Sequence, residues 1–248
     1  MKKLFFLMVA CLVATTASAQ FVNSGGGNSR STASSGNFFG QMSTDDYNRF
    51  YVGYNPTKIK WDESEYEDIF PMSSSLSVGY LHASSLSSQL PLFLEYGANF
   101  QYSFGKETDS YEDDYYGDEY ETELSMNMYS LNIPVNLALK LQFNDCALTP
   151  YLGLNFRVNV AGSYKISVEG EEESMNIFSK SDMEDWWETD EMTAKRFQAG
   201  LNFGVGFNYK NLYLGVGHIS DFSKIFNYSD ADFVGKIGVT TLTVGFNF

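Results

Sequence analysis

The run from Leu148 to Val168 constrains the fold more than any other part of the chain, because its residues alternate between two kinds. Every even position except Gly162 is Leu, Pro, Phe, Val, Tyr or Ile, whereas the odd positions include Asn155 and Arg157. Successive side chains of a β-strand point to opposite faces, so the run predicts one long strand with an apolar and a polar face. The polar face does not suit a dry core. The apolar face must therefore contact something else that is large and apolar, and we expect lipid.

The N-terminus has the pattern of an export signal. Two lysines precede the apolar run from Leu4 to Val13, and small residues at positions 17–19 form a cleavage site. This pattern predicts a secretory signal peptide over residues 1–19. A lipoprotein signal at Cys11 is the alternative, although the apolar run ahead of that cysteine is short.

The absence of a candidate membrane helix favours a closed sheet. After Val13 no apolar run approaches the roughly 20 residues that a membrane helix needs, so a spanning structure would have to be a barrel.

The mature chain would keep one cysteine, Cys146, in a turn with no second cysteine or histidine nearby. We therefore predict neither a disulfide nor a metal site at this cysteine.

The chain is strongly acidic, and its acids are grouped. The formal net charge of −15 argues against binding nucleic acid through bulk attraction. Of the 31 Asp and Glu residues, 24 lie in three blocks, at residues 62–68, 107–123 and 169–191. The blocks separate the apolar alternating runs, which predicts that they form solvated loops.

The sequence predicts three parts of the chain. The signal peptide is followed by residues 20–46, which are rich in Ser, Gly and Asn and predict a flexible periplasmic leader. Residues 47–248 are predicted to form one barrel domain with about eight strands. The strand-like runs lie near residues 50–60, 74–84, 91–106, 124–143, 148–168, 194–210, 212–223 and 233–248.

The fourth run changes parity along its length. Its apolar residues from Leu131 onwards occupy odd positions, but Leu124, Met126 and Met128 occupy even ones. A β-bulge near Met128 to Ser130 would reconcile the two sets.

The connections between runs alternate in length. Long ones lie near residues 61–73, 107–123, 169–193 and 224–232, and short ones near 85–90, 144–147 and 211. Short periplasmic turns and longer external loops are typical of membrane barrels. The predicted fold is therefore an all-β, transmembrane, antiparallel up-and-down β-barrel of about eight strands with long acidic external loops. The alternative is a soluble exported β-sandwich with its polar faces outside.

Three short motifs resemble those of a known group. They are Leu131-Asn132-Ile133-Pro134-Val135, Thr149-Pro150-Tyr151-Leu152-Gly153 and Phe246-Asn247-Phe248. The chain resembles the small outer-membrane β-barrels of the OmpA-like and PorT-like kind, the latter common in Bacteroidota. This resemblance implies the outer membrane of a Gram-negative bacterium and recognition of Phe248 by the outer-membrane assembly machinery. It also leaves open a role in a secretion or envelope-assembly system.

The inward-facing charges predict a plugged lumen. Side chains just fill the interior of an eight-stranded barrel, so an open pore is not expected. Glu95 and Lys140 lie at similar heights on neighbouring predicted strands and should face each other, with Arg157 and Arg196 higher in the same lumen. We predict that these four residues form a structural ion network. A narrow selectivity element is the alternative.

The external loops carry candidate recognition residues. Tyr115 and Tyr116 lie in one acidic loop, and Trp186 and Trp187 lie in another. Exposed aromatics are common in recognition surfaces, which predicts a protein or glycan partner, but they suit a headgroup-level girdle or loop packing equally well. The acids could also bridge to lipopolysaccharide through divalent ions, although their spacing does not match an EF-hand.

An enzymatic hypothesis competes with the recognition hypothesis. His218 and Ser220 share an outward face near the outer end of the seventh run. They resemble the His-x-Ser pair of lipid A 3-O-deacylase barrels, in which the serine is the nucleophile and the histidine the base. The family has Asn after the serine where this chain has Asp221, and only Asp230 or Asp232 could replace its orienting Glu. We therefore predict no enzyme and no cofactor.

Overall fold

The computed structural model describes residues 44–61, 70–88, 90–112, 119–182, 194–227 and 234–248. These residues belong to one compact unit, which spans residues 39–248. The predicted signal peptide and most of the predicted leader lie outside the described residues, so both stay predictions.

Eleven strands occur in the described residues. They are β1 (Tyr47–Trp61), β2 (Ser74–Ser85), β3 (Leu92–Glu112), β4 (Glu119–Leu139), β5 (Leu141–Phe143), β6 (Cys146–Val168), β7 (Glu171–Asn176), β8 (Phe197–Tyr209), β9 (Leu212–Asp221), β10 (Phe226–Asn227) and β11 (Val234–Asn247).

Eight of these strands close a ring. Neighbours pair antiparallel in the order β1, β2, β3, β4, β6, β8, β9 and β11, and β11 pairs back with β1. The short strand β5 continues β4 beyond Lys140 along β6, β7 forms a hairpin with β6, and β10 lies on β11. The predicted up-and-down barrel and its strand count are confirmed.

The outer wall of the ring carries a continuous apolar belt. Side chains such as Val52, Leu76 and Val244 point outwards and are about half exposed, at 52 %, 53 % and 50 %. The opposite face of the same strands buries polar groups such as Asn132 and Arg157. Leaving so large an apolar surface in water would be unfavourable, so this inverted pattern defines a membrane-spanning barrel. It excludes the sandwich, whose polar faces would lie outside.

In the described part of the chain, no helix is long and apolar enough to span a membrane.

The two ends of the ring differ. At one end, tight turns at Asn144 and Lys210 join neighbouring strands, and both residues have positive φ, at 54° and 51°. Two-residue hairpin turns need this left-handed conformation, which matches the twist of the flanking strands. The first and last ring strands also meet here, because Asn48 and Phe248 exchange backbone hydrogen bonds. We call this the short-turn end and the opposite one the long-loop end.

A β-bulge interrupts the wall near the predicted height but on the neighbouring strand. Tyr129 of β4 pairs with Ala161 of β6, whereas Ser130 pairs with Asn159, so Val160 is an extra residue in β6. The parity of β4 does not change there: Met126, Met128, Ser130 and Asn132 are all buried. The prediction of a bulge within β4 that keeps its apolar residues on one face is therefore wrong.

The bulge inverts the upper part of β6. Below it, Val158 points outwards and Arg157 inwards, but above it Tyr164 is only 2 % exposed while Lys165 faces solvent. One extra residue exchanges the two faces of a strand because the side-chain period is two. The expectation that all even residues from Leu148 to Val168 face lipid is therefore correct only as far as Val160.

An apolar core fills the ring at the long-loop end. We call it the upper apolar cluster, and its aromatic centre is formed by Trp61, Phe70 and Phe226, with ring centroids 4.5 Å apart for the two phenylalanines. The other members are Ile59, Met72, Met126, Met128, Tyr164, Met175, Ile177, Ala194, Ile219, Ile225, Ile237 and Val239. Burial there raises the pKa of Tyr164 to about 12.

Four strands continue past the belt as an antiparallel sheet. Lys106 of β3 pairs with Ser125 of β4, Ser125 pairs with Lys165 of β6, and Lys165 pairs with Ser174 of β7. The upper half of β6 therefore builds a rim beyond the belt, which the excess length of its alternating run had indicated.

The inverted face of β6 can be tested with two neighbouring substitutions. Tyr164→Ala should lower the free energy of unfolding by about 3 kcal/mol, because it opens a cavity in the upper apolar cluster. Lys165→Ala should change it by less than about 0.5 kcal/mol, because that side chain faces solvent. Urea unfolding in detergent micelles, followed by tryptophan fluorescence, measures both. A larger loss for Lys165→Ala would mean that β6 keeps its lower parity above Val160.

Candidate functional site

The lumen near the short-turn end is closed by a buried ion pair. Arg49 on β1 lies 3.4 Å from Glu95 on β3, and both side chains are almost fully buried. The hydroxyl of Tyr47 donates to Glu95 Oε1 at 2.6 Å, and Arg49 Nε donates to Asn247 Oδ1 at 2.9 Å. The guanidinium also lies over the ring of Tyr213, 3.5 Å from its centroid. These contacts compensate for the cost of burying two charges.

Lys140 lies beside this pair but does not form the predicted ion pair. Its ammonium group is 4.4 Å from the ring centroid of Tyr47, a cation–π contact, and no ion pair joins it to Glu95 among the described residues. Arg49 is the counterion of Glu95 instead. The sequence prediction missed Arg49 because it began the first strand near residue 50, whereas β1 begins at Tyr47.

A second ion pair lies deeper in the lumen. Arg157 Nη1 donates to Asp221 Oδ2 at 2.7 Å, and both side chains are fully buried. Arg157 Nε also donates to the side-chain oxygen of Asn132 at 3.0 Å. Arg157 is thus where the sequence placed it. Its partner was missed because Asp221 had been considered only beside His218 and Ser220, whereas its odd parity turns it inwards.

Amide side chains fill the space around these pairs. Asn132 is central: its Nδ2 donates to Asn99 and Gln101 at 3.0 Å, and its Oδ1 accepts from Asn155 at 3.1 Å. Further amide–amide bonds inside the lumen run from Asn159 to Gln198, from Asn202 to Asn136 and from Asn247 to Asn208. Such a connected network satisfies polar groups that would otherwise be unfavourable to bury.

Tyrosines complete the filling by lying on glycines of nearby strands. A Cβ atom added at Gly217 would lie 2.2 Å from the hydroxyl oxygen of Tyr151, and one at Gly79 would lie 2.5 Å from Cζ of Tyr51. Tyr213 covers Gly206 in the same way. These strand glycines leave room for tyrosine rings inside the barrel, so the lumen is filled sterically as well as electrostatically.

The remaining internal space is small. A cavity of about 60 Å³ lies between Arg49, Tyr151 and Asn202, which is room for roughly four water molecules. Asn55 Oδ1 and Asn155 Oδ1 border it and have no hydrogen-bond partner in the described part of the protein. The cavity suits trapped water and is too small for a metabolite.

Arg196 does not join the lumen network. Its side chain is exposed, and Nη1 donates to the carbonyl oxygens of Val160 at 2.7 Å and Asn159 at 3.2 Å. Its guanidinium lies 4.6 Å from the ring centroid of Phe178. The backbone at a bulge lacks its regular ladder partners, so Arg196 supplies the missing donor at Val160. The expectation that it lies in the lumen is wrong, because Arg196 precedes the first residue of β8.

The candidate recognition residues of the acidic blocks are aromatic. Tyr115, Tyr116, Trp186 and Trp187 lie outside the described residues, so their recognition role stays a prediction. Part of the acidic block that contains Trp186 and Trp187 is described. There, Ser179 Oγ donates to Asp182 Oδ1 at 2.6 Å, and the backbone amide of Asn176 donates to Asp182 Oδ2 at 3.1 Å. These hydrogen bonds lower the pKa of Asp182.

His218 and Ser220 share the outward face that the sequence predicted, but the contacts of His218 are with other residues. His218 Nδ1 lies 3.3 Å from Thr240 Oγ1, its ring contacts Phe203, and no hydrogen bond joins it to Ser220 among the described residues. Asp221 points to the opposite face and binds Arg157. The other candidate acids, Asp230 and Asp232, lie outside the described residues.

Within the described ranges, no group of three or more His, Cys, Asp or Glu side chains could hold a metal ion. Cys146 is a free, partly exposed thiol at the start of β6.

Solved structures similar to this chain are small outer-membrane β-barrel proteins. Ail, the attachment invasion locus protein of Yersinia pestis, solved with the heparin analogue sucrose octasulfate, is 16 % identical, with 82 % of this chain and 99 % of that chain covered and a TM-score of 0.35. Neisserial surface protein A is 12 % identical, with 83 % and 96 % covered and a TM-score of 0.40. OprG from Pseudomonas aeruginosa is 11 % identical, with 82 % and 95 % covered and a TM-score of 0.35. No family model and no curated protein matches the sequence.

The buried pair in the lumen gives a sharp prediction. Arg157→Leu should lower the free energy of unfolding by about 3 to 5 kcal/mol, because it leaves the carboxylate of Asp221 buried without a counterion. The double variant Arg157→Leu with Asp221→Leu should recover a large part of that loss, since no charge then remains. A double-mutant cycle from urea unfolding in micelles measures the coupling. Strictly additive losses would show that the two groups do not stabilise the barrel as a pair.

Proposed function

We propose that this protein is a non-enzymatic outer-membrane β-barrel of a Gram-negative bacterium, with a closed lumen, that acts through its long-loop end. The observation that carries the proposal is the filled interior. Two ion pairs, a connected amide network and the upper apolar cluster occupy it from one end to the other. A protein built in this way presents a surface and does not form a diffusion channel.

The asymmetry of the barrel supports the orientation. Short turns of membrane barrels face the periplasm and long loops face outwards, so the sheet formed by the upper parts of β3, β4, β6 and β7 would stand outside the cell. The acidic blocks at residues 107–123 and 169–191 would lie at this end. Tyr115, Tyr116, Trp186 and Trp187 then become the candidate contacts for a protein or glycan partner.

A conductance measurement tests the closed lumen. The purified barrel, inserted into a planar lipid bilayer, should give no stepwise conductance, because the cavity between Arg49, Tyr151 and Asn202 holds only a few waters. The variant Tyr151→Ala with Tyr213→Ala removes two buried rings from the lumen and should conduct when folded, which heat-modifiable gel migration checks. Regular conductance steps from the unaltered protein would contradict the proposal.

Two rival functions remain open to experiment. A lipid A deacylase is favoured only by the shared outward face of His218 and Ser220. We expect the acylation pattern of lipid A, measured by mass spectrometry, to be the same in cells expressing the protein and in cells expressing Ser220→Ala. A serine-dependent loss of one acyl chain would establish the enzyme instead. A role in a secretion or envelope-assembly system, which the PorT-like resemblance suggests, would require a protein partner at the long-loop or short-turn end.

A further inference from the structure

An open pocket of about 520 Å³ lies on the outer wall, where β3 and β4 leave the apolar belt. It is lined by Tyr102 and Phe104 of β3 and by Ser125 and Asn127 of β4. Phe104 pairs with Asn127 across the two strands, so their side chains stand next to each other on the outward face. We call this space the aromatic pocket.

The aromatic pocket lies at the upper edge of the belt. Below it, the outward residues of β3 and β4 include Phe100 and Tyr129, which are 45 % and 41 % exposed. Above it, Thr108 pairs with Glu123, so the outward face of both strands has become polar. The headgroups of the surrounding lipid would lie at this height.

The rings of the aromatic pocket are held in place by their neighbours. The ring of Tyr102 stacks on that of Tyr129, with centroids 4.8 Å apart, and contacts that of Phe104, with centroids 5.5 Å apart. The hydroxyl of Tyr102 also donates a hydrogen bond to Asn127 Oδ1 at 2.7 Å. The aromatic surface is therefore formed before any ligand arrives, which lowers the entropic cost of binding.

Uncharged polar groups border these rings. Because Asn127 Oδ1 accepts from Tyr102, the side-chain amide nitrogen of Asn127 is left to donate elsewhere. Ser73 and Ser125 also line the pocket, and the backbone amide of Ser73 donates to the carbonyl of Phe104 at 3.3 Å. Within the described ranges, neither serine hydroxyl nor the amide nitrogen of Asn127 has a hydrogen-bond partner.

Charge does not dominate the aromatic pocket. Lys106 is the one charged residue among its described lining residues, and its ammonium group lies 2.6 Å from Glu123 Oε2. This ion pair offsets the charge of the lysine. The pocket therefore suits a neutral polar ligand better than a phosphate or another anion.

We propose that the aromatic pocket binds an uncharged sugar ring in the headgroup of a glycolipid of the outer leaflet. The face of an aromatic ring carries partial negative charge, which favours the C–H groups on one side of a sugar. The hydroxyl groups at the edge of the sugar would hydrogen-bond to Ser73, Ser125 and Asn127. Because the pocket opens at the upper edge of the belt, the acyl chains of the same lipid would lie against Phe100 below it. The inference rests on the membrane location in the proposed function.

The test measures binding by the full-length protein in micelles of an amine-oxide detergent, which carries no sugar. Diglucosyl diacylglycerol is titrated in, and native mass spectrometry gives the bound fraction. Tyr102→Leu with Phe104→Leu should bind this glycolipid about tenfold more weakly than the unaltered protein, because the stacking surface is lost. Asn127→Ala keeps both rings and should weaken binding about threefold or more, because one hydrogen bond to the sugar is lost.

Phe197→Leu with Phe222→Leu is the matched control. Both phenylalanines are 58 % exposed and adjoin the long-loop ends of β8 and β9, which β6 separates from the pocket. Their replacement should leave the affinity for the glycolipid unchanged. An equal loss in this variant would overturn the proposal, because exposed aromatic residues would then act only as a general girdle at headgroup level.

Two further ligands identify the part of the lipid that binds. Diacylglycerol without sugar should bind the unaltered protein as weakly as the glycolipid binds the variant without the two rings. The free glucose disaccharide, at the same concentration as the glycolipid, should not displace it. Unchanged affinity of the ring variant, or equal affinity for diacylglycerol, would overturn the sugar site, and displacement by the free disaccharide would overturn the lipid as its source. Heat-modifiable migration confirms that each variant is folded, and the conductance measurement tests the closed lumen separately.

Discussion

The rest of the barrel depends on one extra residue in β6. Val160 has no partner on β4, and its carbonyl accepts a hydrogen bond from Arg196 at 2.7 Å. Below it, odd residues of β6 such as Arg157 enter the lumen, and above it even residues such as Tyr164 do so. A sheet closed by backbone hydrogen bonds cannot otherwise exchange the faces of one strand, because the side-chain period is two along its whole length.

The strands of the ring obey two opposite rules along the barrel axis, and β6 meets both by exchanging its faces. Beside lipid, the outer wall must be apolar, and the interior is free to hold ion pairs and amides whose hydrogen bonds are protected from water. Above the belt the outer wall meets water, as the exposed Lys165 shows, and the interior becomes an ordinary apolar core around Phe70 and Phe226. The upper part of the barrel is therefore organised like a soluble domain that shares its strands with a membrane protein.

The same two rules explain what could be predicted from the sequence. Strand number, antiparallel order and the belt follow from alternation, because every ring strand obeys it within the membrane. The inversion in β6 could not be predicted, since Tyr164 and Ile166 continue the apolar even positions, and an apolar residue suits lipid and the upper apolar cluster equally. On β4, the even positions of Met126 and Met128 indicated that this face turns inwards to an apolar core. The sequence prediction attributed their parity to a bulge in that strand instead. The ion partners Arg49 and Asp221 were missed because pairing across a lumen depends on strand ends and register, which alternation does not give.

Charge is sorted along the barrel axis in the same way as hydrophobicity. The lumen cations Arg49 and Arg157 are each paired with one carboxylate, so the interior contributes little to the net charge of −15. That excess belongs to the three acidic blocks at residues 62–68, 107–123 and 169–191. Arg49 and Arg157 are paired because an isolated charge in the lumen would be costly to bury, whereas acidic side chains need no counterion where water solvates them.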